Sequence, residues 1–184
     1  MTQAVAATTG ERSSQVRPND PPSPSLEDRL ERKLDLARRY RGAVRFFETR
    51  RWLLESGAQA RDARAALRRA RLLLARTRAD VTRLRQALRR REARRLAALP
   101  PRRAICDVFG RYCDQAVDVA WCESRLRPDA RNGQYLGLFQ MGARERQLFG
   151  HGPSAYAQAR AAHRYFVRSG RDWSPWSCKP WRWE

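Results

Sequence analysis

Glu123 closes an apolar run in the segment AWCESRLRPDARNGQYLGLFQM (residues 120–141), a few residues upstream of a turn rich in glycines and amides. A carboxyl in that setting is either a helix residue that borders the core or an acid holding a proton for use. Breaking a glycosidic bond requires such a proton at the leaving oxygen, and a carboxyl supplies it near neutral pH only if its pKa is raised. Burial against apolar and aromatic groups raises it, because desolvation disfavours the anion. Ala120 and Trp121 on the preceding helix face, and a bridge at Cys122 pinning the helix end, would suit that role.

The elements that position Glu123 can be read around it. From Arg102 onward, aromatics, glycines and cysteines occur together, as in a compact domain rather than a rod. Ile105, Val108 and Phe109 begin a short helix, Gly110 permits a break, and Cys113 to Ser124 continues as a helix offering Ala116, Val117, Ala120 and Trp121 to a core. Asn132-Gly133 marks a turn. Gly137 to Met141 reads as a short extended segment or the start of a helix, and Ala155 to Ser169 as an alanine-rich helix stopped by Gly170. Trp173, Trp176, Trp181 and Trp183 crowd the tail.

Upstream the pattern differs. Residues 1–24 are rich in Ser, Thr, Pro and Asn with few large apolar side chains, which predicts disorder. Ser25 and Asp28 resemble a capping box. Behind it Leu26, Leu30, Ala37, Tyr40, Val44, Phe47 and Leu54 form one stripe, interrupted by Lys33 and Arg51. After a break at Ser56-Gly57, the positions Ala63, Leu67, Ala70, Leu74, Thr77, Val81, Leu84 and Leu88 follow a heptad that Pro100-Pro101 ends. Residues 25–99 are therefore expected to form a basic antiparallel helical hairpin of coiled-coil type, with a coiled-coil dimer as the other solution. The fold class expected is mainly α.

The formal net charge is +20. Residues 25–98 carry +14 of it and residues 101–184 carry +6. Nearly all of the basic residues are arginines, a vocabulary that fits a solvated face as readily as a dedicated polyanion surface. Salt-sensitive binding to anionic envelope polymers, an acidic membrane surface or nucleic acid, the last without sequence specificity, is the expectation. No apolar run is long enough to span a membrane, and MTQAVAATTGERSSQV has neither the basic nor the apolar region of a secretory signal. Cys106, Cys113, Cys122 and Cys178 lack the short C-x2-4-C spacing of a zinc site, and His151 and His163 lack ligand spacing, so neither metal nor cofactor is expected. A disulfide pattern suits a small domain in an oxidising compartment; four buried thiols are the alternative. The pairs expected are Cys122 with Cys178, and Cys106 with Cys113 if Gly110 breaks the helix. Seven residues of unbroken helix would span about 10 Å, beyond the roughly 7 Å that a disulfide tolerates between α-carbons.

Glu123-Ser124, followed by Gly137-Leu138-Phe139-Gln140-Met141, resembles the E-S and G-L-M-Q-I motifs of the lytic transglycosylases in the lysozyme superfamily. The context WCESRL, ARNGQYLGLFQM, FGHG and DWSPWSC is similar to small actinobacterial members akin to the resuscitation-promoting factors. The likeness covers residues 104–178 and implies a compact lysozyme-like domain over residues 102–184. It also implies an extracellular, wall-associated enzyme that cleaves the β-1,4 link from N-acetylmuramic acid to N-acetylglucosamine in peptidoglycan.

In that reading Glu123 protonates the leaving oxygen. The same carboxylate then helps the muramic 6-hydroxyl close on the anomeric carbon, giving a 1,6-anhydro product. Hydrolytic muramidases usually need a second acid, and Asp118, Asp129, Glu145 and Asp172 are candidates that no motif dictates. Gln140 carries over as an amide that bonds a substrate group, with Gly137 letting backbone approach, while Ser124 orients the acid or its backbone. Asn132, Gln134 and Tyr135 are expected sugar contacts from the loop, and Trp173 and Trp176 flat faces for pyranose rings or else core residues. Tyr165, in H-R-Y-F, stands on a helix suited to the family's supporting tyrosine but lacks the asparagine of its A-Y-N motif. A hydrolytic muramidase and a non-catalytic wall- or polyanion-binding protein are the alternatives.

Overall fold

The computed structural model describes residues 23–55 and 57–180. The segment expected to be disordered lies, up to residue 22, outside the described residues, as do Trp181 and Trp183. The chain is mainly helical, with six α-helices and one two-stranded antiparallel sheet among the described residues. It divides into two units, residues 1–84 and 85–184.

In the first unit α1 (Leu26–Thr49) opens on a capping box: the Ser25 hydroxyl accepts from the Asp28 N–H and the Asp28 carboxylate accepts from the Ser25 N–H. A short 3-10 turn (Arg51–Leu54) follows, and α2 (Ala58–Ala97) begins after Gly57, whose φ of +93° a glycine takes without cost. Ala37 and Val44 of α1 are buried against Leu67, Ala70 and Leu74 of α2, with Tyr40 and Phe47 packed beside them. The buried set of α2, Ala60, Leu67, Ala70, Leu74, Thr77, Val81 and Leu84, keeps the heptad expected. Lys33, an interruption of the stripe in sequence, is explained by its ion pair with Asp80 at 2.7 Å. Glu48 pairs with Arg71 at 3.1 Å, so partners run in opposite numerical order along the two helices.

The second unit packs α3 (Pro101–Phe109), α4 (Cys113–Ser124) and α6 (Ala155–Arg168) around one core. α3 starts four residues earlier than the apolar pattern suggests, because Pro101 at its first turn has a preset φ and no N–H to leave unpaired. Gly110, at φ +54°, ends it, and a 3-10 turn (Gly110–Tyr112) leads into α4. The condition for a Cys106–Cys113 bridge is thereby met: the α-carbons are 4.4 Å apart and the sulfurs are joined. Four alanines of α6, at 155, 159, 161 and 162, are buried beside Phe166. Phe109, Phe166, Trp173 and Trp176 make a continuous set of ring contacts through this core.

Two local expectations fail. Trp121 is 46% exposed and lies outside the core, since the buried face of α4 runs through Ala116, Val117, Val119 and Ala120. Gly137 to Met141 is neither strand nor helix. It is a tight loop closed by paired hydrogen bonds between Leu136 and Met141, each N–H to the other's carbonyl at 3.2 Å. This loop follows the hairpin of β1 (Arg131–Asn132) and β2 (Tyr135–Leu136), which places the Asn132-Gly133 turn where it was expected. It precedes α5 (Ala143–Phe149), a helix that the sequence reading missed because its seven residues carry little apolar pattern.

Burial holds the imidazoles of His163 and His151 below their usual range, with Arg171 and Arg146 respectively acting in the same direction. The folded state thus disfavours their protonated forms. Stability should be at its full value above the unfolded histidine pKa of about 6.5 and fall as the pH drops below it. Asp80, held low by its bond to Lys33, adds a loss only at more acidic pH, on descending through about 3.9. Thermal midpoints recorded from pH 8 down to pH 5 should decline below about 6.5. In His163→Phe, which keeps an aromatic ring against Phe109, that decline should be shallower.

Candidate functional site

The loop after α4, the hairpin, the Gly137–Met141 loop and the tail enclose a cleft of about 470 Å³. Glu123, at the C-terminal end of α4, lines it with Asn132, Tyr135, Gln140 and Trp176. Glu123 is half-buried. Its Oε1 accepts from the backbone N–H of Cys178 at 3.1 Å, and its other oxygen has no partner among the described residues. The contact is made by the chain itself: the Cys122–Cys178 disulfide, with α-carbons 5.9 Å apart, fastens the tail beside the last turn of α4.

Ser124 and Gln158 fix the position of the motif loop. The buried Ser124 hydroxyl lies 3.0 Å from the Ala120 carbonyl and 2.9 Å from that of Leu138, joining α4 to the loop. Gln158, 2% exposed on α6, accepts from the Leu138 N–H at 2.8 Å and donates to the Pro128 carbonyl at 2.9 Å. Its role was missed from sequence, although the signal was present. Gln158 falls in register with Ala155, Ala159, Ala162 and Phe166, so an uncharged amide stands on an otherwise apolar face. A buried amide in such a place needs partners on both ends, and here these are two loops of the cleft.

The expected contacts divide. Asn132, Tyr135, Gln140 and Trp176 reach the cleft. Gln140, left-handed at φ +41°, spends its amide N–H groups on the Ala130 and Gly137 carbonyls, at 3.1 and 2.9 Å. Only the side-chain oxygen of Gln140 is left to meet a ligand. Trp176 is 5% exposed and donates to the Phe139 carbonyl at 2.9 Å, so it is a core residue with an edge on the cleft. Trp173 is not a sugar face: it is buried, stacked on Phe109 and bonded to Gln115 at 2.9 Å. Tyr165 stacks on Phe149 and packs behind Trp176 rather than lining the cleft. Gln134 does not line the cleft either; its carbonyl accepts from Arg146.

Gly137, at φ +85°, is not among the residues that line the cleft. A Cβ there would run into the Gln158 carboxamide and His151 Nε2. Gly137→Ala therefore combines a left-handed backbone penalty of about 1–2 kcal/mol with loss of one or both buried bonds of Gln158, about 1–3 kcal/mol each. With one of those bonds lost, a drop of about 2–5 kcal/mol in unfolding free energy by denaturant titration is expected.

Asp118, Asp129, Glu145 and Asp172 do not line the cleft, and Glu123 is the only carboxylate among the described residues that do. No group of three or more His, Cys, Asp or Glu able to hold a metal ion occurs among the described residues, and none of their helices is long and apolar enough to cross a membrane. No family model, curated protein or solved structure matches the chain.

Proposed function

We propose that residues 102–184 form a lysozyme-like domain that cuts the glycan of peptidoglycan as a lytic transglycosylase, at the bond from N-acetylmuramic acid to N-acetylglucosamine. One observation carries this reading: Glu123, the only carboxylate on the cleft wall among the described residues, shares that cleft of about 470 Å³ with Gln140 of the second motif. Both motifs of the resemblance thus border one space. Glu123 gives its proton to the leaving oxygen as the glycosidic bond breaks and the anomeric carbon becomes oxocarbenium-like. The carboxylate then takes the proton of the muramic 6-hydroxyl as that oxygen closes the anhydro ring. The two transfers balance on one residue, and no activated water is required. Inverting or retaining hydrolysis calls for a second carboxylate across the sugar, so the lone acid supports transglycosylation over a muramidase.

Asn132, Tyr135 and the Gln140 side-chain oxygen would meet hydroxyl and N-acetyl groups, with the edge of Trp176 under a ring. The unit of α1 and α2 is read as a basic antiparallel coiled-coil hairpin that holds the protein on anionic envelope polymers. The two disulfides fit an oxidising, extracellular compartment. Incubation with purified sacculi tests the reading: soluble glycan fragments should appear with time. Protein that sediments with the sacculi and releases no fragments would leave a wall-binding protein in place of an enzyme.

A further inference from the structure

Three arginines line the cleft that holds Glu123: Arg125 and Arg127 from the loop after α4, and Arg131 from β1. The cleft lining therefore carries three positive charges against the one carboxylate. Arginine is common throughout this chain, and the side chains of Arg102, Arg144, Arg160, Arg168 and Arg171 of the same unit also make no hydrogen bond or ion pair among the described residues, so what separates these three is their place on the cleft wall. In the same unit Arg146 is spent on the Gln134 and Met141 carbonyls, Arg164 on the Phe149 carbonyl, and Arg103 on Asp107. Among the described residues, Arg127 and Arg131 make no hydrogen bond or ion pair, and Arg125 is engaged only with the Trp121 ring, 5.2 Å from its centroid.

The backbone at Arg125 points the same way. Arg125 and Leu126 are consecutive left-handed residues, at φ 55° and 58°, where glycine or asparagine would sit with less strain. The turn sends Leu126 to the core and Arg125 to the cleft. Guanidiniums left without protein acceptors in a concave site are forks suited to carboxylates.

We propose that the cleft selects a β-1,4-linked amino-sugar strand bearing carboxylates, and that Arg125, Arg127 and Arg131 are its specificity-determining residues. A neutral strand of N-acetylglucosamine would lack the groups they read. The carboxylate could be the lactyl group of a peptide-free muramic residue or an acid of an attached peptide. This proposal rests on the cleft being a glycan site, but not on the bond being cut there.

The test uses the full chain carrying Glu123→Gln, so that ligands persist, and three oligosaccharides of equal length: neutral chitin-type, peptide-free muramyl and peptide-bearing muramyl. Calorimetry at low salt should give about ten-fold tighter binding of an acidic strand than of the neutral one, the sum of three exposed charge contacts. Whichever acidic strand binds more tightly identifies the carboxylate that is read. Arg125→Asn combined with Arg127→Gln and Arg131→Gln should bring acidic and neutral affinities together. Asparagine tolerates the left-handed backbone at 125, which guards against misfolding. The arginines of α1 and α2 remain in this variant, so a preference that survives it resides elsewhere and overturns the proposal, as does equal affinity for all three strands in the parent. Wild-type protein that prefers acidic strands yet cuts none would retire the catalytic reading and leave this one standing. Cutting of neutral and acidic strands with equal kcat/KM would do the reverse.

Discussion

Glu123→Gln should lower the rate of glycan release from sacculi by about 10²–10⁴-fold, the range in which removal of a general acid–base group falls. The substitution is close to isosteric. It retains an oxygen that can accept from the Cys178 N–H, the one bond that the carboxylate makes to the rest of the chain among the described residues. Folding should therefore be spared, and far-UV circular dichroism and the thermal midpoint should match the parent. Loss of activity with an unchanged midpoint separates a chemical role from a structural one. Among the described residues the acid is the only carboxylate on the cleft wall, so none of their other carboxylates is placed to take over its proton transfers.

Removing the Cys122–Cys178 bridge, as Cys122→Ala with Cys178→Ala, should be the most damaging change to stability. The bridge joins residues 56 apart in sequence. Chain-entropy arguments for a loop of that size give about 4 kcal/mol, a large part of the stability of a small domain. The damage should reach the site as well, because the bridge holds the Cys178 N–H against Glu123 and the tail that carries Pro175, Trp176 and Ser177 along the cleft. Lys179 resists part of this: its ammonium donates to the Trp173, Ser174 and Trp176 carbonyls and keeps the tail folded on itself. The tail should thus detach from α4 as a unit. Urea unfolding monitored by tryptophan fluorescence would report the loss, and opening Cys106–Cys113 instead should cost less, since it closes only seven residues.

Periodicity revealed the helices whose apolar faces are regular. The heptad of α2 and the span of α4 follow from spacing alone, and the lysine on the α1 stripe becomes intelligible once Asp80 faces it. Exposure of Trp121 could not be read from spacing, because Val119 and Ala120 take the inner face of α4 and leave the larger ring outside. The motif loop was ambiguous for a different reason. It repeats neither at two nor at 3.6 residues; its shape comes from Ser124 and Gln158, which lie 14 and 20 residues from Leu138. Of the expected sugar contacts, Asn132, Tyr135, Gln140 and the edge of Trp176 reach the cleft and Gln134 does not, whereas Trp173 and Tyr165 were drawn into a ring cluster that only the folded tail assembles. The cleft arginines were present in sequence as RLRPDAR, yet in a chain so rich in arginine nothing marked them apart until the fold placed all three on the wall that carries Glu123.

In the proposed reaction one carboxylate gives a proton to the leaving oxygen and takes another from the muramic 6-hydroxyl, and no water enters the bond. Digestion of sacculi in heavy-oxygen water, with mass spectrometry of the released disaccharide units, addresses it directly. Muramic ends lighter by one water and free of the heavy isotope should be produced by the parent and be absent with Glu123→Gln. Reducing ends that carry the isotope, or anhydro ends formed equally well by Glu123→Gln, would contradict it.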